Sequence, residues 1–205
     1  MLKKPLIVGA KGGMGRRYAA ILRTLQIEPL LMDVGDDVPE GFDSVIIASP
    51  TDLHAAHCLQ FMAYRVPILC EKPLSKEIGE VERVCSEAER LGVQLDMVNQ
   101  YRYCEWLSTL PANDYTSYNF FNTGKDGLAW DCISIIALAN GKVSVDNTKP
   151  VWSCVINGHR LRYERMDWAY ITMIQEWLAG SLRDHGKNYI LNAHNKVLKY
   201  IEDTK

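Results

Sequence analysis

A chain of 205 residues has room for one or two domains with a sizeable core, and 23 basic against 25 acidic residues leave a net charge of −2. With no long basic run, that balance argues against nucleic acid or an anionic membrane as a partner. Residues 1–5 run directly into a strand-like Leu6-Ile7-Val8, which is too short for a signal peptide, and no apolar run reaches membrane-spanning length. The six cysteines (58, 70, 85, 104, 132 and 154) contain no Cys-x-x-Cys pair, and several sit inside apolar runs. They read as buried, reduced thiols of a cytoplasmic protein.

Residues 6–8 predict a buried strand, followed by Gly9-Ala10-Lys11-Gly12-Gly13-Met14-Gly15 and a helical pattern over about 15–26. Glycines at such a place let the chain turn sharply after a strand. They also let a pyrophosphate approach the amides at the start of the next helix. The spacing is Gly9-x-x-Gly12-x-x-Gly15, one residue longer between the first two glycines than the usual dinucleotide fingerprint. A second strand over 29–32 ends at Asp33, 24 residues beyond Gly9. A carboxylate there accepts hydrogen bonds from a ribose diol and repels a 2′-phosphate, which favours NAD. Arg16 and Arg17 lie close enough in sequence to reach a phosphate and keep NADP open.

About ten residues, 34–43, join the second strand to a third at 45–48, and they contain Gly35, Pro39 and Gly41. A crossover helix needs more chain than that, so a loop is expected, with one face of the sheet thinly covered. The third strand ends at Ser49-Pro50-Thr51-Asp52-Leu53-His54, where a helix over 52–64 begins. The fourth strand, 68–70, ends at Glu71-Lys72-Pro73. Next, an amphipathic helix over 75–91 carries an apolar stripe of Ile78, Val81, Val84, Cys85, Ala88 and Leu91, with Ser75 as N-cap and Gly92 as its stop. The fifth strand, 95–98, leads into Asn99-Gln100-Tyr101-Arg102. Strand–helix alternation of this kind predicts a doubly wound parallel sheet, with ligands at the carboxyl ends of its strands.

Past residue 103 the pattern changes. Residues 115–122 alternate as a half-buried strand does, 127–139 read as a helix, and 151–163 form a hairpin about Asn157-Gly158. An amphipathic helix follows, marked by Trp168, Ile171, Ile174, Trp177 and Leu178, and a last one spans about 193–202. The expected architecture is α/β: a Rossmann-type domain over 1–105 and a reduced α+β domain over 106–205, with three or four strands at most. A small sheet of that kind leaves an edge or an apolar face for self-association, so a homodimer is expected.

The turns at 49–54 and 71–73 and the polar segment at 99–102 together resemble the glucose–fructose oxidoreductase / inositol dehydrogenase family, Gfo/Idh/MocA, over residues 1–103. The resemblance implies an oxidoreductase moving hydride between a nicotinamide and a sugar-like or polyol hydroxyl. By that resemblance Lys72 meets substrate, while Ser49, Pro50, Thr51, His54, Glu71 and Pro73 line the cofactor. The glycine turn (Gly9, Lys11, Gly12, Gly13, Met14, Gly15), Asp33, and Asn99 and Gln100 after the fifth strand complete the expected cofactor site. An ammonium at Lys72 stabilises a developing alkoxide, and the neutral amine accepts a hydroxyl proton.

The second half resembles a cut-down version of the family's substrate domain. Asp131 falls where relatives place an aspartate, but Ile135 stands where they place a catalytic histidine. With the histidine replaced, either Asp131 or Lys72 serves proton transfer alone, or Asp131 is an ordinary solvated or hydrogen-bonded helix residue. The competing reading is a catalytically inactive dinucleotide-binding sensor or interaction protein. The glycine spacing also resembles dihydrodipicolinate reductases, against which the Glu-Lys-Pro turn argues. His54, His57 and Cys58 share a helix, but nothing in the sequence completes a metal site with them. His159, His185 and His194 receive no chemistry.

Overall fold

The computed structural model describes residues 2–103, 117–121, 133, 142–146, 153–156, 159–161, 167–182 and 185–203. These fall into two compact units: residues 1–98 with 173–191, and residues 99–172 with 192–205.

The first unit is built on a five-stranded, wholly parallel sheet in the order β2-β1-β3-β4-β5. Its strands are β1 (Pro5–Val8), β2 (Leu30–Met32), β3 (Ser44–Ile47), β4 (Ile68–Cys70) and β5 (Leu95–Met97). All residues of β1, β3, β4 and β5 are buried, as expected of the mainly apolar strands of a sheet covered on both faces, with Ser44 and Asp96 the buried polar exceptions. β2 is one edge of the sheet, and Leu31 on it is 47% exposed. The connection from β2 to β3 holds no helix, as its length requires. Its Phe42 ring packs on Phe61 and Tyr64, at centroid distances of 6.1 and 4.9 Å.

Helices α1 (Gly13–Thr24), α2 (His54–Met62) and α3 (Ile78–Leu91) connect the strands, with a 3-10 turn at Thr51–Leu53 ahead of α2. Of the expected stripe α3 buries Val81, Val84, Cys85 and Ala88 and leaves Ile78 and Leu91 half-buried, and it stops at Gly92, whose φ of +65° closes the last turn. Its start differs from expectation. The helix begins at Ile78 with Glu77 in the cap position, not at Ser75. The Ser75 hydroxyl still serves the helix end: it accepts from the Glu77 amide (3.1 Å) and donates to Glu80 (2.7 Å).

α4 (Asp167–Ala179) buries Ala169, Tyr170, Met173, Ile174, Trp177 and Leu178, while Trp168, expected on that face, is 48% exposed. α5 (Gly186–Asp203) begins about seven residues before the sequence pattern suggests, so His194 lies inside the helix and does not open it. Within the first unit, the Leu2 amide donates to the Leu178 carbonyl (3.0 Å) and Lys187 pairs with Glu89 (2.8 Å).

The second unit contains a four-stranded sheet in the order β7-β6-β8-β9, from β6 (Ser117–Phe121), β7 (Lys142–Asp146), β8 (Ser153–Ile156) and β9 (His159–Leu161). β8 and β9 pair antiparallel with Ile156 opposite His159, the register of the expected hairpin. β7 was not foreseen, although Lys142-Val143-Ser144-Val145-Asp146 alternates; it pairs parallel to β6. The helix expected over 127–139, with Asp131 and Ile135, lies outside the described residues apart from the buried Ile133.

Candidate functional site

The site is assembled where the parallel strands end. β1 and β3 lie side by side, and chain order runs outward from them in opposite directions, which is the switch point where such sheets bind ligands. Gly9 follows β1 with φ +83°, and both its amide and that of Ala10 donate to the Met32 carbonyl (2.9 and 3.1 Å). An added Cβ at Gly9 would lie 2.7 Å from both the Ala48 carbonyl oxygen and the Ser49 nitrogen, so only glycine lets the turn press against the end of β3. At Gly15 an added Cβ would lie 2.7 Å from the Ala10 Cα and closer still to the Gly9 carbonyl. Gly13 is different: a Cβ there meets nothing within 4 Å.

Gly12 caps α1 in extended geometry, with no side-chain cap and no acidic residue in the first turn. The opening amides of α1 therefore face no competing side-chain acceptor on their own helix. That is a cradle suited to a diphosphate.

Asp33 closes the turn from the side of β2. Its carboxylate accepts from the Lys11 amide (2.7 Å) and from its own neighbour Val34 (2.9 Å), and these two bonds hold it below the usual carboxylate range. The Asp33 amide is in turn taken by Asp36 (2.8 Å). Asp33 thus builds the turn it was expected to serve. Two donors leave lone pairs over for a ribose. The Arg16 guanidinium folds back to donate to the Lys11 carbonyl (2.6 Å).

Two histidines of α2 secure the end of β3. His54 is 2% exposed, and its ring nitrogens lie 2.7 Å from the carbonyl oxygens of Ser49 and Pro73. His54 therefore stands behind the cofactor turns and ties them together. His57 Nδ1 lies 2.9 Å from the Ser49 hydroxyl, and burial, then the charge of His54, pulls the His57 imidazole below its usual value. Sequence spacing put these histidines on one helix face but did not indicate that both would be taken by Ser49 and its surroundings. Among the described residues no three His, Cys, Asp or Glu side chains group as metal ligands.

At the end of β4, the Glu71 amide donates to Ile47 (2.8 Å), and a cis peptide joins Lys72 to Pro73. Glu71 is buried. Its Oε1 accepts from the Tyr18 hydroxyl of α1 (2.5 Å) and its Oε2 from the Lys72 amide (3.0 Å). The sequence reading did not single out Tyr18, which the structure buries on α1 against Glu71. Lys72 itself is half-buried. Asn99 and Gln100 follow β5, are both buried and belong to the second unit.

Cys58, Cys70 and Cys85 are buried free thiols. Burial raises Cys70 well above the normal thiol value and pushes Cys85 up to about 11, so neither is a ready nucleophile. No helix among the described residues is long and apolar enough to cross a membrane.

Comparison with known proteins agrees with this geometry. Residues 17–99 match the family model described as an oxidoreductase family with an NAD-binding Rossmann fold, GFO_IDH_MocA. The chain is similar to a glucose-6-phosphate 3-dehydrogenase of Bacillus subtilis, 30% identical over 130 residues, which are 53% of this chain and 37% of that protein. The match thus spans little more than a third of that relative's length. Among solved structures, a WlbA dehydrogenase from Thermus thermophilus in complex with NAD and UDP-GlcNAcA superposes with a TM-score of 0.74 at 15% identity, over 96% of this chain and 94% of the other. A probable dehydrogenase from Thermotoga maritima gives 0.77 at 13% identity, over 98% and 97%. At such identities the likeness speaks for the fold. Residues 17–99 are thus similar to the NAD-binding Rossmann fold of the Gfo/Idh/MocA oxidoreductases.

Proposed function

We propose that the protein is an NAD-dependent oxidoreductase acting on a sugar-like or polyol hydroxyl. One observation carries the reading. The glycine turn, Asp33, the Ser49-Pro50-Thr51 turn and Glu71-Lys72-Pro73 stand at the ends of four adjacent strands, linked to one another by direct contacts. The open space beside Gly13 and the uncapped amides of Gly13, Met14 and Gly15 suit a pyrophosphate, and Asp33 suits an unphosphorylated ribose. NADP is the less favoured cofactor for the same reason.

Bound NAD supplies the hydride acceptor. The chain's own residues do the rest. The amides fix the diphosphate, Asp33 sets the cofactor's register, and the Lys72 amine holds the reacting hydroxyl, taking its proton or stabilising the alkoxide as it forms. Residues 1–105 carry the cofactor in this reading and 106–205 the substrate, with Asp131 as the second proton-transfer candidate. The small sheet of the second unit has β7 and β9 as edges, which supports a homo-oligomer. A monomeric mass at micromolar concentration overturns that part.

The test follows NADH absorbance with a panel of polyols and sugars. Lys72→Ala should lower turnover by about 10²–10⁴-fold, the usual worth of a positioned acid or base, with NADH affinity little changed. NADH binding without turnover on any substrate favours a dinucleotide-binding sensor, the reading suggested by Ile135. Well-folded protein giving no calorimetric heat with either NAD or NADH overturns both.

A further inference from the structure

The Glu-Lys-Pro turn is held from α1 as well as from the sheet. Glu71 is 6% exposed and Tyr18 has no exposed surface, yet 53 positions separate them in sequence. A carboxyl and a phenol are both costly to bury unless each finds a partner, so the 2.5 Å bond between them is a built feature of the fold. The remaining oxygen of Glu71 accepts from the Lys72 amide at 3.0 Å. Tyr18 lies in the second turn of the helix whose opening amides face the proposed diphosphate. The path from that cradle to the lysine is therefore short: one helical turn, one phenol, one carboxyl and one peptide bond.

We propose that Tyr18 is a positioning residue for Lys72: through Glu71 it fixes the peptide from which the lysine side chain departs, and it links occupancy of the α1 cradle to the placement of the amine. This rests on the reading that Lys72 serves a reacting hydroxyl. The backbone of Glu71 is already set by its bond to Ile47 (2.8 Å), so the side-chain bonds do something further: they set the orientation of the next peptide. A tyrosine whose role was only to fill space would give up its hydroxyl without any effect at Lys72.

Competitive labelling of the full chain with limiting acetic anhydride reads the amine directly, using the exposed Lys76 as internal reference and peptide mass spectrometry as detector. In Tyr18→Phe the reactivity of Lys72 relative to Lys76 should change by about three-fold or more, the factor that one ordinary hydrogen bond is worth. Its response to saturating NADH should be lost, while calorimetric NADH affinity stays unchanged. With a substrate in hand, kcat should fall and KM for NAD should not move. Glu71→Gln keeps an oxygen for Tyr18 but turns an N–H toward the Lys72 amide, so it should alter Lys72 reactivity in the same way, and it decides the matter if Tyr18→Phe does not fold. Lys72 labelling as in the wild type in a folded variant overturns the proposal. Absence of NADH binding in the wild type defeats the functional reading instead, and the effect of Tyr18 on basal labelling still stands or falls separately.

Discussion

At the scale of single residues, the glycines of the first turn divide into two kinds, and the division can be tested. Gly15 has backbone atoms within 2.7 Å of where a Cβ would sit, so Gly15→Ala forces the turn apart and should cost about 1–3 kcal/mol of stability, as overpacking does. Gly13 has only open space and stands at the first position of α1. Gly13→Ala should therefore leave stability equal or higher by up to about 1 kcal/mol, yet weaken NADH binding because the methyl group occupies the phosphate's approach. Thermal unfolding and NADH calorimetry on the two variants check this. A Gly13→Ala protein that binds NADH like the wild type would mean the diphosphate lies elsewhere. The sequence shows that glycines recur, but the distinction between a glycine needed for packing and one needed for a ligand exists only in three dimensions. The same holds for His54 and Glu71. Their positions in the two turns were legible, but a one-residue change along a turn decides whether a side chain faces the ligand or the protein interior, and the structure buries both.

At the scale of elements, the parallel strands were read nearly to the residue, because a buried strand is a compact apolar run with little competing pattern. Helix ends were read less well. Ser75 was taken as a cap when it acts from outside the helix, and the start of α5 was missed because its first turn carries no apolar period. The actual start of α5 involves a distant residue. Asp96, fully buried on β5, accepts from the Gly186 amide (3.1 Å) and from Gln94 (2.6 Å), and it faces His185 just before the helix. Burial nonetheless keeps the Asp96 carboxyl above its usual value, outweighing the donors. The sign of the consequence is fixed. A carboxyl with a raised folded-state value binds its proton more tightly in the native state, so its contribution to stability falls as pH rises from the unfolded-state value through the folded one. Asp33 and Asp43, held low, act in the opposite sense and lose their contribution as pH falls. Asp96→Asn retains an acceptor for Gly186 and removes the titration. The stability of Asp96→Asn relative to wild type should therefore increase as pH rises above about 4, where the unfolded carboxyl ionises, and level off above the raised folded-state value. Parallel denaturation curves at several pH values measure it, and a difference independent of pH refutes the assignment.

At the scale of the whole molecule, the first unit is not a simple N-terminal segment. Residues 173–191 return to it, bringing Met173, Ile174, Trp177 and Ile190, all without exposed surface. Each such side chain contributes about 1.5–3 kcal/mol when buried, so a few of them equal the entire margin of an ordinary domain, about 5–15 kcal/mol. Hydrogen bonding points the same way: Asp96 loses the Gly186 amide without the return, and Leu2 loses its acceptor at Leu178. The periodicity of residues 168–178 announces a buried helix, but periodicity carries no record of which unit the helix joins, and here residues 173–191 belong with residues 1–98. A chain ended at residue 105, the boundary that composition and pattern suggest, should therefore lack a cooperative thermal transition and should bind a hydrophobic dye in the manner of a loosely packed state. Circular dichroism melting and dye fluorescence decide between the alternatives. A shortened chain that unfolds as sharply as the full protein would show that the sheet needs no cover from the returning helices, and the buried face of α4 would then have to be explained by some other demand than completing the Rossmann core.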